Sequence, residues 1–307
     1  MRVLPGPTKS NQVLAWSPDG RFVAAGGSGD GVMAWDVPAG TPGRIVLPGR
    51  HGGRLMRFCP RTGRLYVAFQ SGGFWYWDPS TDEERQLTAA YSIVYGLAVS
   101  DDGRSVATDV YNFPSGRRGA RRSVVGYAVA GTGELAEAWA RPGDKWDDRG
   151  SISFRPGTDE LFGLGRHVGD ELRFVWVRSS NRVAGSFAVP PEAGRVTRWA
   201  LAPDSARVAW LTERGLYLRR LDDPATLELP AAEGELRRGL AFHPSGRTLA
   251  YTTGTTVRLL DADTLVEVRA FDWGTGKVRA VAFSPDGLRA AVSAEGGKGW
   301  VTVFDLE

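Results

Sequence analysis

A short turn sequence, with Pro-Asp-Gly as its clearest form, repeats along this chain, and arginine recurs at a fixed position before it. We call this sequence the turn signal. Seven positions lie six residues before such a turn, and they hold Gln12, Arg54, Tyr95, Gly150, Thr197, Arg238 and Arg279. None of the seven is a carboxylate. A guanidinium binds carboxylates through paired hydrogen bonds, and Arg, Trp and Tyr contribute most of the binding energy at protein interfaces. The set therefore predicts binding of an acidic peptide or protein surface rather than acid–base chemistry.

Further candidates lie beside these positions, in the connections that lead into them. The residues assigned to partner binding are Arg54, Tyr95, Trp146, Arg198, Arg238, Trp273 and Arg279. An alternative stays open, because acidic residues such as Glu192, Glu233, Glu235 and Asp272 are close in sequence. The arginines would then form solvated ion pairs with these neighbours, which contribute little energy, and would bind no partner.

Residues for catalysis, metal binding or cofactor binding are sparse. The chain has one cysteine, Cys59, and three scattered histidines, His51, His167 and His243, so neither an intrachain disulfide nor a structural zinc site is expected. No hydrolase or phosphate-binding motif occurs. Asp144, Asp147 and Asp148 lack the loop pattern of a calcium site. The sequence predicts a protein that is not an enzyme and has no cofactor and no metal.

One insertion contains residues that could contact nucleic acid. The segment from Val110 to Arg122, predicted to connect the second and third strands of the third repeat, holds four arginines. With Tyr111 and Phe113 they could hold phosphate and stack on a base. The whole chain, however, carries 38 basic and 35 acidic residues, a net charge of +3. A nucleic-acid-binding protein is normally basic over an entire face. Nucleic acid is therefore not an expected partner.

The turn signal repeats seven times and sets the architecture. Its first residues are Pro18, Pro60, Asp101, Pro156, Pro203, Pro244 and Pro285. By subtraction these are 42, 41, 55, 47, 41 and 41 residues apart. A period of this length is typical of a four-stranded propeller blade.

Each repeat contains the pattern of four strands. Residues two and four before the turn are always apolar, and the residue between them is mostly small, which is the period of a strand. A second strand follows the turn, a third ends in an aromatic residue or leucine, and a fourth often ends in an apolar residue and proline. Proline suits an outer edge strand, because its missing N–H breaks no ladder there.

The two ends of the chain supply one repeat between them. The last repeat stops after its third strand, at Val303–Asp305, whereas Arg2-Val3-Leu4-Pro5 resembles a fourth strand with no others before it. We predict that the N-terminal strand completes the last blade and removes the open sheet edges. The expected fold is all-β, a seven-bladed β-propeller of four-stranded antiparallel blades, with residues 1–307 as a single domain.

The turn Phe283-Ser284-Pro285-Asp286-Gly287 and the pairs Trp35-Asp36 and Trp77-Asp78 resemble WD-repeat proteins. The resemblance covers essentially the whole chain and indicates a divergent, bacterial-type WD40-like propeller. It implies a non-enzymatic scaffold for protein–protein interaction. The alternative is a propeller hydrolase that acts on a small or peptidic substrate at the central channel.

The sequence also gives expectations for location and assembly. Proline and polar residues interrupt the N-terminus before an apolar signal segment could form, and no apolar run is long enough to span a membrane. With a single cysteine, these features predict a cytoplasmic protein without a membrane segment. The protein is expected to be a monomer unless it is part of a complex, and its richness in arginine, alanine and glycine suggests a bacterial source.

Overall fold

The computed structural model describes residues 1–4, 11–27, 30–40, 42–69, 73–88, 93–112, 121–142, 152–166, 171–178, 180, 182–272, 274, 276–295 and 301–306. The chain forms two compact units, Met1–Ile45 with Pro190–Glu307, and Val46–Val189. Within the described residues, 28 strands form seven four-stranded antiparallel sheets. We call these sheets blades 1 to 7, in the order of their innermost strands.

The strands follow one another along the chain. Blade 1 contains β2 (Asn11–Trp16), β3 (Phe22–Gly27), β4 (Asp30–Asp36) and β5 (Arg44–His51). Blades 2 to 4 contain β6 (Gly53–Phe58), β7 (Leu65–Phe69), β8 (Gly73–Asp78), β9 (Glu83–Gln86), β10 (Ile93–Val99), β11 (Ser105–Asn112), β12 (Arg121–Val129), β13 (Leu135–Pro142), β14 (Ile152–Phe154), β15 (Leu161–Arg166), β16 (Leu172–Val177) and β17 (Val183–Ala188). Blades 5 to 7 contain β18 (Arg198–Leu201), β19 (Arg207–Leu211), β20 (Gly215–Arg220), β21 (Thr226–Pro230), β22 (Arg237–Phe242), β23 (Thr248–Thr253), β24 (Thr256–Asp261), β25 (Glu267–Asp272), β26 (Lys277–Phe283), β27 (Arg289–Glu295) and β28 (Val301–Asp305). A 3-10 helix, Pro191–Ala193, precedes β18.

The fourth strand of blade 7 comes from the N-terminus. Strand β1 (Arg2–Leu4) pairs antiparallel with β28, with Arg2 opposite Val303 and Leu4 opposite Val301. The strand order of this sheet is β1-β28-β27-β26. The predicted seven-bladed propeller, with the N-terminal strand completing the last blade, is confirmed.

In the innermost strands, apolar residues at the alternating positions two and four before the turn are buried or half-buried. Met56 and Phe58 of β6 and Leu97 of β10 are buried, and so is Trp16 of β2. The second strands are buried along most of their length, and every residue of β7 and β19 is buried. The blades therefore have apolar cores on both sides of their inner strands.

Each turn between the first and second strands of a blade contains one residue with positive φ. These residues are Gly20, Gly63, Gly103, Gly157, Ser205, Gly246 and Gly287. In blade 1 the Ser17 hydroxyl donates to Asp19 and accepts the N–H of Phe22, while Asp19 accepts the N–H of Arg21. Blades 3 and 7 repeat this network with their own serine and aspartate. The aspartate of the turn signal therefore holds the turn together.

Side chains of one blade bind the turn glycine of the next, and we call these contacts turn staples. The Cys59 thiol donates to the carbonyl of Gly103 at 3.4 Å, and Arg207 Nη2 donates to that of Gly246 at 2.9 Å. Nε2 of His243 lies 2.9 Å from the carbonyl of Gly287, so the proton is on Nε2. Arg289 reaches the Gly20 carbonyl at 3.4 Å. Cys59 and His243 thus have structural roles beside their turns.

Asp78, the aspartate of the second Trp-Asp pair, is expected to make stability depend on pH. Burial alone would raise its pKa, but hydrogen bonds from Ser80 and Arg64 outweigh burial and lower it. Because the pKa is lower in the folded state, this contribution is present above the unfolded pKa of about 4 and is lost as pH falls through the folded value. We expect the free energy of unfolding to fall in acid less steeply for Asp78→Asn than for the wild type, measured by urea denaturation between neutral pH and about pH 3.

The control for this prediction is Asp222→Asn, because Asp222 is exposed and its partner Arg220 is also exposed. Arg220 also lowers the pKa of Asp222, but solvent screens this exposed pair, so this variant should keep most of the acid sensitivity of the wild type. Equal slopes for the wild type and Asp78→Asn would contradict the assignment.

Candidate functional site

The predicted arginine positions coincide with breaks in the inner-strand ladders. The pairing of β6 with β7 shifts between Gly53 and Leu55, so Arg54 is the extra residue of a β-bulge. Tyr95 occupies the same place in β10 and Arg279 in β26. In β22 the shift falls between Arg237 and Leu240 and includes Arg238.

Blade 1 shows the same irregularity, and blade 5 has a related contact just before its first strand. In β2 the register shifts between Asn11 and Val13. In blade 5 the N–H of Thr197 donates to the carbonyl of Leu211 at 2.8 Å, while the next residue, Arg198, is the one paired with Leu211. A bulge leaves its extra residue outside the ladder and changes the direction of its side chain. In the five blades whose described registers shift here, the fixed six-residue spacing of the sequence marks a bulge.

Three arginines lie at the start of adjacent inner strands in the unit that contains Pro190–Glu307. Strands β18, β22 and β26 contact one another in that order, and they carry Arg198, Arg238 and Arg279. We call these three residues the arginine face. Arg198 is exposed, and Arg238 and Arg279 are half-buried.

The three arginines differ in their ion pairs. Arg279 binds Glu295 across the blade. For Arg198 and Arg238, no ion pair is found with any carboxylate in the described part of the chain. The pKa of Arg198 is lowered because surrounding protein displaces water from the guanidinium. Arg198 and Arg238 therefore give the arginine face positive charge that no described carboxylate neutralises.

The neighbouring Arg237 has an internal role instead. Its side chain donates to the carbonyls of Leu229 at 2.7 Å and Pro230 at 2.8 Å, and it pairs with Glu235 at 2.9 Å. Its guanidinium also lies 4.9 Å from the ring of Tyr251. Arg237 and Arg279 thus form ion pairs within the chain, as in the alternative interpretation of the sequence.

Arg54 and Tyr95 lie in the other compact unit. The Arg54 side chain is exposed, and the half-buried Tyr95 ring lies 5.3 Å from the guanidinium of Arg122. Arg122 in turn binds Asp109 through two hydrogen bonds, of 2.9 Å and 2.5 Å. Asp109 is completely buried. Sequence reasoning missed this pair, although an aspartate inside the apolar strand Ser-Val-Ala-Thr-Asp-Val was a visible signal.

Several predicted residues fall elsewhere. Trp146, Trp273 and Gly150 lie outside the described residues, as do positions 113–120 of the arginine-rich insertion. The ends of that insertion are not loop, because β11 continues to Asn112 and β12 begins at Arg121. Tyr111 pairs with Arg122 in this ladder. The prediction of a connection over the whole segment was therefore wrong at both ends.

The described residues also bear on metal binding and on membrane insertion. In that part of the chain, no three His, Cys, Asp or Glu side chains are grouped so as to hold a metal ion. None of its helices is long and apolar enough to cross a lipid bilayer.

Comparison with known proteins agrees with this architecture. The family model "WD domain, G-beta repeat" matches residues 1–36. The β-propeller domain of Cps50 (Swd1) from Myceliophteria thermophila is 13% identical over 100% of this chain and 99% of that one, with a TM-score of 0.74. Kuenenia stuttgartiensis hydrazine synthase is 16% identical over 98% of this chain and 97% of that one, with a TM-score of 0.72. No curated protein sequence gives a significant match.

These findings define the class of protein. The fold is a seven-bladed β-propeller, and its first repeat matches the WD-repeat model. The predicted resemblance to WD-repeat proteins is confirmed at these two levels. WD-repeat propellers are generally protein-interaction scaffolds. Identities of 13% and 16% carry the fold and not the activity of either relative.

Proposed function

We propose that this protein is a non-enzymatic interaction scaffold whose arginine face binds an acidic peptide or protein surface. The observation that supports the proposal is the pair Arg198 and Arg238. Arg198 is the first residue of β18 and Arg238 the second of the adjacent inner strand β22, and neither has an ion pair with a described carboxylate. A guanidinium without a counter-charge gains most from a carboxylate that a partner brings.

The bulges give this proposal a geometric basis. Arg238 and Arg279 stand at bulges, outside the backbone ladder of their blades, where the direction of a side chain changes. Arg279 already holds Glu295, so an incoming carboxylate must share or displace that contact. We therefore expect Arg198 and Arg238 to contribute more to binding than Arg279.

The remaining candidates belong to the same proposal as separate contacts. Arg54 and Tyr95 hold equivalent bulge positions in the other unit, and Trp146 and Trp273 are the aromatic candidates. An acidic protein partner, a monomeric state, a cytoplasmic location and a single domain over residues 1–307 are further parts of the proposal. The single cysteine, which is buried, supports a reducing compartment.

The hydrolase alternative receives no support from a specific observation in the described residues. One of the two structural relatives is a hydrazine synthase, but at 16% identity that likeness concerns the fold alone. No second function is proposed.

Arg198→Glu combined with Arg238→Glu is expected to weaken binding of an acidic peptide at least about tenfold, because repulsion replaces attraction at two positions. The probe is a short fluorescent peptide rich in glutamate, measured by fluorescence anisotropy at low and physiological salt. A peptide with glutamine in place of glutamate reports binding that is independent of charge.

The matched control is Arg104→Glu combined with Arg247→Glu. These two exposed arginines follow the turns of blades 3 and 6, and the double change alters net charge by the same amount. This control should retain wild-type affinity apart from a small effect of net charge. An equal loss in both double variants, or equal affinity of the wild type for the two peptides, would overturn the proposal.

A further inference from the structure

A glutamate of blade 7 binds one of the three arginines of the arginine face. Glu295 is the last residue of β27, and its carboxylate contacts the Arg279 guanidinium at the bulge of β26. The side chain of Arg279 is 20% exposed and that of Glu295 is 44% exposed, so solvent reaches the pair. An ion pair in contact with solvent contributes little energy, and another carboxylate can replace its acidic member. Glu295 therefore stands where a carboxylate of a partner would bind.

Buried hydrogen bonds hold Arg238 and Arg279 beside one another. The N–H of Gly239, which follows Arg238, donates to Oγ1 of Thr252 at 2.8 Å. The Thr252 hydroxyl in turn donates at 3.4 Å to the carbonyl of Val278, which precedes Arg279. Thr252 is completely buried. The inner strands β22 and β26 are thus joined at their bulges, and one acidic segment of a partner can contact both arginines.

Blade 5 has a glutamate at the equivalent place. Glu295 and Glu213 each lie two residues beyond the residue that pairs with the fifth position before the turn signal. Glu213 is exposed in the connection between β19 and β20 and forms no ion pair with any described residue. Both residues carry the same charge, so contact with an arginine is what distinguishes Glu295 from Glu213.

Lys277 offers Glu295 a second partner. The two residues are directly opposite one another in the β26–β27 ladder, and opposite charges in such a cross-strand pair attract. Lys277 is exposed. When a carboxylate of a partner takes Arg279, Glu295 can turn to Lys277 and no charge is left without a counter-charge. This exchange needs rotation of side chains only, and the ladder stays as it is.

We propose that Glu295 is an intramolecular competitor for the arginine face, which neutralises Arg279 in the free protein and gives way to a carboxylate of the partner. The inference rests on the proposed function, because it assigns regulation to the same site. A single carboxylate is bound by Arg198 or Arg238 alone, whereas a densely acidic segment fills both and also displaces Glu295. The competitor thereby selects densely acidic partners over isolated carboxylates.

Glu295→Gln tests the proposal, with the fluorescent glutamate-rich peptide as the probe. The change removes the charge and keeps the size of the side chain. We expect this variant to bind the peptide about threefold more tightly than the wild type at physiological salt, measured by fluorescence anisotropy, a factor typical of one exposed ion pair.

The matched control is Glu213→Gln, which removes the same charge from the equivalent place in blade 5. Its affinity should stay close to that of the wild type, because salt screens a charge that contacts no arginine. An equal gain in Glu213→Gln and Glu295→Gln would overturn the proposal, since net charge alone would then explain both.

Arg279→Gln separates competition from general repulsion. If Glu295 acts by holding Arg279, the gain from Glu295→Gln should vanish when residue 279 is already glutamine. If Glu295 only repels the partner, the gain persists in that background and the proposal is wrong. Melting temperatures of the single and double variants show that each protein is folded.

The outcomes distinguish this proposal from the proposed function. If Arg198→Glu with Arg238→Glu abolishes binding while Glu295→Gln binds as the wild type does, the arginine face stands and the competitor is overturned. Binding of the peptide by Glu295→Gln but not by the wild type supports the competitor. If the Arg198→Glu with Arg238→Glu variant binds as tightly as the wild type, or if none of these proteins binds, both proposals are wrong.

Discussion

Asp109→Ala is expected to lower the free energy of unfolding by about 3–5 kcal/mol, because it leaves the Arg122 guanidinium without its carboxylate. Asp109 is completely buried, and Arg122 binds it with two hydrogen bonds, of 2.9 Å and 2.5 Å. The side chain of Arg122 is only 10% exposed, so water cannot readily replace the lost partner. Urea denaturation at neutral pH, followed by circular dichroism, measures the loss.

The double variant Asp109→Leu with Arg122→Met separates the energy lost with the ion pair from the energy of burying two side chains at these positions. Replacing both members of a buried ion pair by apolar residues is often neutral or stabilising. We therefore expect the double variant to recover most of the stability that Asp109→Ala loses. If the double variant is as unstable as the two single changes together, the two residues are not energetically coupled and the explanation is wrong.

Arg207→Leu should lower the free energy of unfolding by about 2–4 kcal/mol, because it removes a turn staple with four acceptors. The guanidinium donates to the carbonyls of Gly246 and Ala262 in the next blade, at 2.9 and 3.2 Å. It also binds Asp204 at 2.6 Å and Asp263 at 2.7 Å. The carboxylates can regain water, so most of the loss comes from the two carbonyls. Equilibrium denaturation measures the change.

Arg220→Leu is the control for the staple. Arg220 pairs with Arg207 across the β19–β20 ladder, but its side chain is exposed and binds the exposed Asp222. Its removal should leave stability within experimental error. A loss equal to that of Arg207→Leu would show that the two blades do not depend on the staple.

The repeat made most of the fold predictable. Turn signals at a regular spacing and apolar residues such as Leu14, Trp16, Met56 and Phe58 indicate inner strands with a buried side, and these four residues are buried. The N-terminal strand was predictable because Arg2–Leu4 lacks the other three strands of a blade and the last blade lacks its fourth. Because the pattern occurs seven times, an irregular copy can be recognised from the others, which a single copy would not allow.

The contacts at the candidate site were less predictable. A bulge adds one residue without changing the composition, so the sequence showed Arg54, Tyr95 and Arg279 at a fixed spacing but not outside the ladder. The Asp109–Arg122 pair joins a strand to a segment predicted as a connection. That contact depends on the β11–β12 register, and residue types alone do not determine a register.

Because the bulge residues lie outside the ladder, those of them that we propose for binding are distinct from the residues that pair the strands. The ladder resumes directly after each bulge, with Met56 opposite Val67 and Leu97 opposite Thr108. Positions 54, 95, 238 and 279 can therefore be randomised together in a library while the registers of their blades stay intact. A scaffold with this property can acquire a new binding specificity by point substitution, without loop grafting or redesign of its core.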